Sequence, residues 1–413
     1  MERMGTARRL VVAAAVVGVI LRLAFALFYW TGKPLTHDER EYLALAASVQ
    51  AGRGFTYPDG PAGTTQQFGR APGYPVFLAA LRAGGSHTSS PVRIKIAQSV
   101  LGALLVVLIA TIAWRAAGPR VSVIAAWTAA VYPPLVWVGA YVWSESVYAV
   151  IALSSVVMLQ RALDGIPAGP RRHLFAAVSG ALIGIGILTR PALLFFVPLA
   201  AGWLLFKRQV AMALVLILCV AAVVAPWTIR NMRTYGRFVL VASEGGVTFW
   251  TGNHRLARGE GDLAANPELK IAELEFRRQH PGLTSEQLEP LYYRDAIAQI
   301  RSDPARWAGL IARKVFYTVV PAGPSYTLHS TRYRVASIVP YLLLLPFAAV
   351  GVVRLRRSEH PPVALFLLAG SAVLVCLVFF PQERFRIPVL DPVLIVCAAA
   401  AGAHVDRDRQ LRS

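Results

Sequence analysis

Runs of about 20 predominantly apolar residues, the length that crosses a hydrocarbon core of roughly 30 Å, recur along nearly the whole chain. In lipid every backbone amide must find its partner within the protein, so such runs become helices or a closed barrel. Here they are continuously apolar and do not alternate with period two, which excludes a porin-like barrel. With 56 % hydrophobic and only 15 % charged residues among 413, the composition also excludes a disordered chain and an ordinary water-soluble enzyme.

The spans read as approximately residues 10–30, 94–114, 121–139, 144–163, 173–189, 191–206, 209–229, 335–353, 361–380 and 387–403, ten in all. The first follows a basic start, as in a signal peptide. Bulky Phe28, Tyr29 and Trp30 stand where small cleavage-site residues belong, so it reads as an uncleaved span. The formal net charge of +20 reports membrane orientation rather than nucleic acid. With the N-terminus inside, the clusters Arg115/Arg120, Arg161/Arg171/Arg172, Lys207/Arg208, Arg354/Arg356/Arg357 and Arg407/Arg409/Arg412 all fall in the cytoplasm, as the positive-inside rule requires. Cys219, Cys376 and Cys397 lie inside apolar runs, so neither a disulfide framework nor a zinc spacing is visible.

Two long polar stretches, residues 31–93 and 230–334, are then external. They divide the chain into a membrane module at 1–229 carrying the first loop, an external region at 230–334, and C-terminal helices at 335–413. The short apolar segments 73–83 and 307–320 read as amphipathic helices lying in the interface. The fold class is therefore all-α and polytopic, with about ten transmembrane helices and interfacial helices in two external loops. Pro191 breaks one long apolar block into two spans with a tight external turn.

Directly after the first span stands Thr36-His37-Asp38-Glu39-Arg40-Glu41-Tyr42. Thr36 with Glu39 three residues on is a capping-box pattern, which predicts a helix to about Ala51. Glu39 has either that capping role or a catalytic one. Asp38 lies at the membrane surface next to His37, where a carboxylate can accept a proton from a hydroxyl. His254, His280 and His329 are scattered; a divalent metal beside His37 and Asp38 stays open. Glu145, at the outer end of a span, either caps it or pairs with Arg70 or Arg190. The Glu244-Gly245-Gly246 segment carries no Lys-Ser/Thr and does not read as a nucleotide loop; its glycines read as allowing a tight turn at the membrane.

The Asp38-Glu39 pair with Tyr42 and the Gly52-Arg53-Gly54-Phe55 end of that helix resembles the first-loop motif of GT-C membrane glycosyltransferases. The likeness is to the dolichyl-phosphate-mannose protein mannosyltransferase family (glycosyltransferase family 39) and its bacterial relatives, which include the lipid A aminoarabinose transferases. Further elements resemble that family in order: Arg70-Ala71-Pro72-Gly73-Tyr74-Pro75, Trp143-Ser144-Glu145, Leu188-Thr189-Arg190-Pro191, Pro226-Trp227-Thr228-Ile229-Arg230-Asn231 and Glu383-Arg384-Phe385-Arg386-Ile387-Pro388. Ala71 and Phe385 depart from the family's Pro and Tyr, and neither change removes a charge.

The resemblance implies a sugar transferred from a polyprenyl-phosphate-linked donor to an extracytoplasmic acceptor by inverting displacement. It implies a bacterial cytoplasmic-membrane protein whose partners are that donor, membrane lipids and a protein, lipid or glycan acceptor. Asp38 and Glu39 would be catalytic, and His37, Tyr42, Arg70, Tyr74, Glu145, Arg190, Arg230, Arg384 and Arg386 would bind substrate. Phosphate favours arginine's bidentate fork. The competing class is a lipid or sugar transporter or flippase, which would place ionisable residues near mid-span.

Topology gives the first prediction. Single cysteines introduced at positions 60 and 262 should react with a membrane-impermeant thiol reagent from outside the cell, and those at 118, 168 and 357 should not. External labelling at 357 would turn residues 307–320 into a further span.

Overall fold

The computed structural model describes residues 2–56, 69–164, 170–261, 263–321 and 323–402. Positions 60, 168 and 262 and the Arg407/Arg409/Arg412 cluster lie outside them. The described residues form an all-helical, multi-pass membrane protein. Six helices are long and apolar enough to cross a membrane, and Pro191–Phe206, Val363–Val378 and Leu390–Ala400 are shorter apolar helices.

Helix α1 (Glu2–Ala24) continues as a π-helical turn at Phe25–Tyr29, and α2 (His37–Gln50) and α3 (Gly73–Ala80) follow in the first loop. The long α4 (Val92–Val131) contains a non-helical Gly118 with φ 85°. Only glycine takes that conformation cheaply, and Pro119 then restarts the helix. The chain folds back there: the Ser122 hydroxyl donates to the Ala110 carbonyl at 2.8 Å, a contact that a straight helix could not make across 12 residues. The two expected spans thus form a hairpin. The expected span 121–139 is shorter than anticipated, because the helix stops at Val131 ahead of two prolines. The chain then makes the short α5 (Pro133–Trp137) and a 3₁₀ turn at Val138–Ala140.

The remaining helices are α6 (Glu145–Leu163), α7 (Pro170–Thr189), α8 (Phe196–Phe206), α9 (Val210–Tyr235), α10 (Gly245–Asn253), α11 (Pro267–Arg278), α12 (Ser285–Ser302), α13 (Pro304–Val319), α14 (Thr331–Arg356), α15 (Val363–Val378), α16 (Glu383–Arg386) and α17 (Leu390–Ala400). In the bundle α1 packs along α4, α6 on α7, α7 on α9, and α17 between α14 and α4. The basic residues expected inside gather at one end, where Arg115 pairs with Asp164 and Gln160 donates to the Pro361 carbonyl. The motif residues gather at the other.

Two smaller cores sit at that second end. Tyr42, Leu43, Ala46, Tyr74 and Leu78 bring α2 against α3. Trp250, Leu269, Leu288 and Tyr292 unite α10, α11 and α12. Helix α13 reverses the usual arrangement of a surface helix. It buries Leu310, Lys314 and Thr318, with the Lys314 ammonium donating to Asn253 Oδ1 at 3.0 Å and to the Leu377 carbonyl at 2.9 Å. Val315, Phe316 and Val319 point outward.

The spans are less free of charge than their hydropathy suggests. Arg22, within the first, is buried and donates to the carbonyls of Gly18, Ala129 and Ala130. It thereby satisfies acceptors at the C-terminus of α4, where helical carbonyls have no partner of their own.

Gly73 lets two motif elements touch. A Cβ there would stand 2.7 Å from Thr189 Oγ1 and 2.9 Å from the Leu188 carbonyl oxygen. Gly73→Ala should therefore lower the thermal unfolding midpoint in detergent, at a cost of about 1–3 kcal/mol for overpacking. Gly202→Ala, with open space around it, should not. Equal midpoints would show that the α3–α7 contact yields freely.

Candidate active site

The charged residues that line the site are placed where a local signal starts or stops a helix. The Thr36 capping box starts α2: the Thr36 amide donates to Glu39 Oε2 at 2.7 Å and the Glu39 amide to Thr36 Oγ1 at 3.4 Å. Asp38 is thus fixed in the first turn. Pro191 forces Arg190 out of the helix into an extended conformation with φ −152°, and α7 ends at Thr189. Arg384 sits on α16, a single turn between α15 and α17.

These residues form one continuous ladder of alternating charge. Glu41 Oε2 accepts from Arg70 Nε at 2.7 Å, and Arg70 Nη2 donates to Asp38 Oδ1 at 2.9 Å. Asp38 Oδ2 accepts from Arg384 Nη1 at 2.6 Å. Arg384 Nε and Arg190 Nη1 then both donate to Glu145 Oε1, at 3.0 and 2.7 Å. Aromatic rings fix the cations from the side: Arg70 lies 4.9 Å from the Tyr42 ring centroid, Arg384 4.7 Å from Trp143 and Arg190 4.5 Å from Phe385. Arg70 Nη1, Arg384 Nη2 and the Nε and Nη2 of Arg190 make none of the bonds just named.

Burial opposes ionisation of Asp38, but the charges and hydrogen bonds of Arg384 and Arg70 hold its carboxyl well below the ordinary carboxylate range. Asp38 is therefore an anion that grips two guanidinium groups. Glu145 is fully enclosed, with a side-chain exposure of 0 %.

The ladder borders a cavity of about 670 Å³. Asp38, Tyr42, Arg70, Arg190 and Arg384 line it together with Glu244, Glu289 and Tyr293. Leu194, Phe195, Ala372, Val375, Phe379 and Phe380 line an apolar remainder. One space thus offers both cations and hydrocarbon.

Several expected site residues stand elsewhere. Glu39 is 2 % exposed; its Oε2 closes the capping box and its Oε1 accepts from the Val142 amide at 2.8 Å, which gives it the capping role. Tyr74 is buried, with its hydroxyl 3.1 Å from Gln98 Oε1. Arg386 is turned from the cavity because residues two apart on a helical turn point to nearly opposite sides. It is 5 % exposed, its Nε lies 2.8 Å from Asp391 Oδ1, and it covers the Tyr341 ring at 4.0 Å. Arg230 packs over Trp227 at 4.9 Å and donates to Asn231 Oδ1, away from the cavity. His37 is exposed, 3.4 Å from Glu41 Oε1. Glu145 does not line the cavity but pairs with Arg190 and Arg384, which do. Sequence reasoning passed over Glu41, Glu244 and Glu289; an acidic residue one turn along from His37 was the available signal for Glu41, and nothing local marked the other two.

No three His, Cys, Asp or Glu side chains are grouped to hold a metal among the described residues. Asp38 spends both oxygens on arginines, so this donor set does not fit a divalent cation.

No protein-family model matches the sequence, and no curated protein matches it. Solved structures do. The apo oligosaccharyltransferase from Archaeoglobus fulgidus superimposes with a TM-score of 0.61 at 17 % identity, over 96 % of this chain and 50 % of its own. The archaeal oligosaccharyltransferase AglB of the same organism, in complex with an inhibitory peptide and a dolichol-phosphate, gives 0.59 at 16 %, over 96 % and 50 %. This chain has the fold of GT-C membrane enzymes. It spans about half the length of those structures. ArnT from Cupriavidus metallidurans bound to undecaprenyl phosphate is a looser match, with a TM-score of 0.42 at 14 % identity over 97 % of this chain and 78 % of its own.

Because Arg384 serves both Asp38 and Glu145, its loss leaves Asp38 with Arg70 alone and the enclosed Glu145 with Arg190 alone. Arg384→Ala should lower the thermal midpoint sharply, in keeping with about 3–5 kcal/mol for breaking a buried pair. Arg384→Lys should recover only part, since one ammonium cannot span both partners. A thermal melt of each variant in detergent decides this, and an unshifted Arg384→Ala would mean that the ladder does not hold the helix ends together.

Proposed function

We propose that this chain is a glycosyltransferase that moves a sugar from a polyprenyl-phosphate-linked donor to an acceptor hydroxyl. The observation that carries this reading is the cavity's mixed lining of arginines and apolar side chains. A polyprenyl phosphate is an anion on a long hydrocarbon tail, and the space pairs three arginines with an apolar wall of α15 and the Pro191–Phe195 turn. The fold supports it, as does the dolichol-phosphate in the related archaeal complex.

Glycosyl transfer from phosphate places growing negative charge on the leaving oxygens as the bond to the anomeric carbon breaks. Preorganised donors aimed at that charge are worth most in a site shielded from water. Arg70, Arg190 and Arg384, which all line the cavity, hold the phosphate. Asp38 and Glu145 keep the forks in register before the donor arrives, so their orientation is not purchased at the moment of reaction. The acceptor attacks from the face opposite the phosphate, which inverts the anomeric centre. The active site faces away from the cytoplasm in a bacterial cytoplasmic membrane, in line with the basic clusters at the other end of the bundle.

A transporter or flippase is the weaker reading. Its ionisable residues would sit near mid-span along a path, whereas this ladder borders a cavity at the helix ends.

The test is binding of undecaprenyl phosphate to the purified chain, followed by transfer from the lipid-linked sugar that accumulates when the protein is removed. Arg190→Ala and Arg70→Ala should weaken both far more than Arg237→Ala, whose guanidinium donates to the Glu286 carbonyl outside the cavity. Arg70→Lys should restore part. Equal behaviour of all these variants would reject the phosphate site.

A further inference from the structure

The cavity holds more hydrogen-bonding groups than a phosphate and its hydrocarbon tail would use. Three of them, Glu244, Glu289 and Tyr293, line it together and come from the Glu244-Gly245-Gly246 segment and α12. The two glycines explain how those elements meet. Neither has a left-handed backbone, so what these positions require is the missing side chain. A Cβ on Gly245 would stand 2.6 Å from the Tyr293 hydroxyl and 3.0 Å from Glu289 Oε1, and one on Gly246 would stand 2.4 Å from the Glu289 carbonyl oxygen. Larger residues there would drive α12 from the segment.

These groups adjoin the arginines. Glu244 Oε1 lies 3.6 Å from Arg70 Nε, beyond a good hydrogen bond, while that guanidinium already donates to Glu41 and Asp38. The Ser243 amide donates to the Gly69 carbonyl at 2.8 Å, which fixes the residue before Glu244 beside the residue before Arg70. On the α12 side, Glu289 Oε1 accepts from the Gly246 amide at 3.3 Å, and the Tyr293 ring leans on Phe249 at 5.3 Å between centroids. Phe249 in turn meets the cavity-lining Phe379 edge-on at 6.3 Å. The three polar groups are thus held in place before any ligand enters.

We propose that Glu244, Glu289 and Tyr293 read the sugar of the lipid-linked donor, and that this sugar presents hydroxyl groups and no acid to them. This rests on the glycosyltransferase reading above. The sugar is bonded directly to the phosphate, so it occupies the space next to the arginines, where Glu244 stands with the two α12 side chains behind it. A carboxylate has two oxygens that accept from neighbouring hydroxyls, and a phenol both donates and accepts. Bonds to the carboxylates are charge-assisted, and a site group left unpaired penalises a sugar that lacks the matching hydroxyl.

The charges favour the same class of sugar. Burial pushes the Glu289 carboxyl up to about 7, with Glu286 and Glu244 adding to the shift and the Gly246 and Gly245 amides opposing it. Near neutral pH it therefore holds a proton part of the time and donates as well as accepts, which suits hydroxyls. A sugar acid would bring further negative charge against Glu244 and Glu289, with Arg70, Arg190 and Arg384 committed to the phosphate.

The probes are undecaprenyl phosphate, which has no sugar, and the lipid-linked sugar that accumulates when the protein is removed. Tyr293→Phe and Glu289→Gln should bind undecaprenyl phosphate as the wild type does. Affinity for the lipid-linked sugar should fall ~3- to 10-fold in Tyr293→Phe and ~10- to 100-fold in Glu289→Gln, the range for one lost neutral or charged hydrogen bond. Mild acid should release from that lipid a sugar without a carboxyl group. Wild-type affinity for the lipid-linked sugar in both variants overturns the proposal, and slower transfer would then assign these groups to the acceptor. Equal weakening of both probes makes them props for the arginines and also overturns it, as does release of a sugar acid. A wild-type chain that binds neither probe and transfers no sugar overturns the glycosyltransferase reading and this proposal with it, a result distinct from the others.

Discussion

Most of the polar architecture hangs on one constraint, the need to satisfy six charged side chains in a place largely withdrawn from water. A lone carboxylate such as Glu145, with no side-chain exposure, would be expensive to ionise there. The alternation Glu41, Arg70, Asp38, Arg384, Glu145, Arg190 resolves this by giving every charge an opposite neighbour. Since the members come from α2, the segment before α3, α6, the α7–α8 turn and α16, the ladder also ties distant parts of the chain at one end of the bundle.

That arrangement serves the proposed chemistry because a closed set of ion pairs is also a preorganised anion site. Each arginine commits only part of its fork to the carboxylates, and the aromatic rings of Tyr42, Trp143 and Phe385 restrict the rest. A phosphate entering the cavity meets cations already oriented. The apolar wall from α15 and the turn at Pro191 then accounts for a ligand that carries a hydrocarbon chain. The segment before α10 joins the cleft through the Gly69–Ser243 backbone bond, which brings Glu244 beside Arg70.

The sequence was most legible where a local rule applies. The capping box at Thr36, the turn at Pro191, the helix over residues 307–320 and the break at Pro304 are all where residue type and spacing put them. Reading failed where the decisive partner is remote. Glu39 and Asp38 are adjacent in one motif, yet one caps a helix and the other bridges two arginines. Arg384 and Arg386 share another, and helical geometry sends them to opposite sides. Arg22 and Asp391 were hidden within apolar runs, because average hydropathy tolerates a single charge whose partners are backbone carbonyls or a buried arginine.

By itself, then, the sequence determined that this chain crosses a membrane repeatedly, which ends of its helices share a side, and that arginines and carboxylates collect at one of them. Those properties follow from transfer free energies and backbone bonding, which are summed residue by residue along the chain. Tertiary structure alone decided which of the collected charges face the cavity, which are spent on holding helices, and that Glu244, some 200 residues from Asp38 along the chain, stands beside the same arginine. An ion pair depends on distances of a few ångströms between segments that no local pattern relates, so its partners emerge only when the bundle has packed.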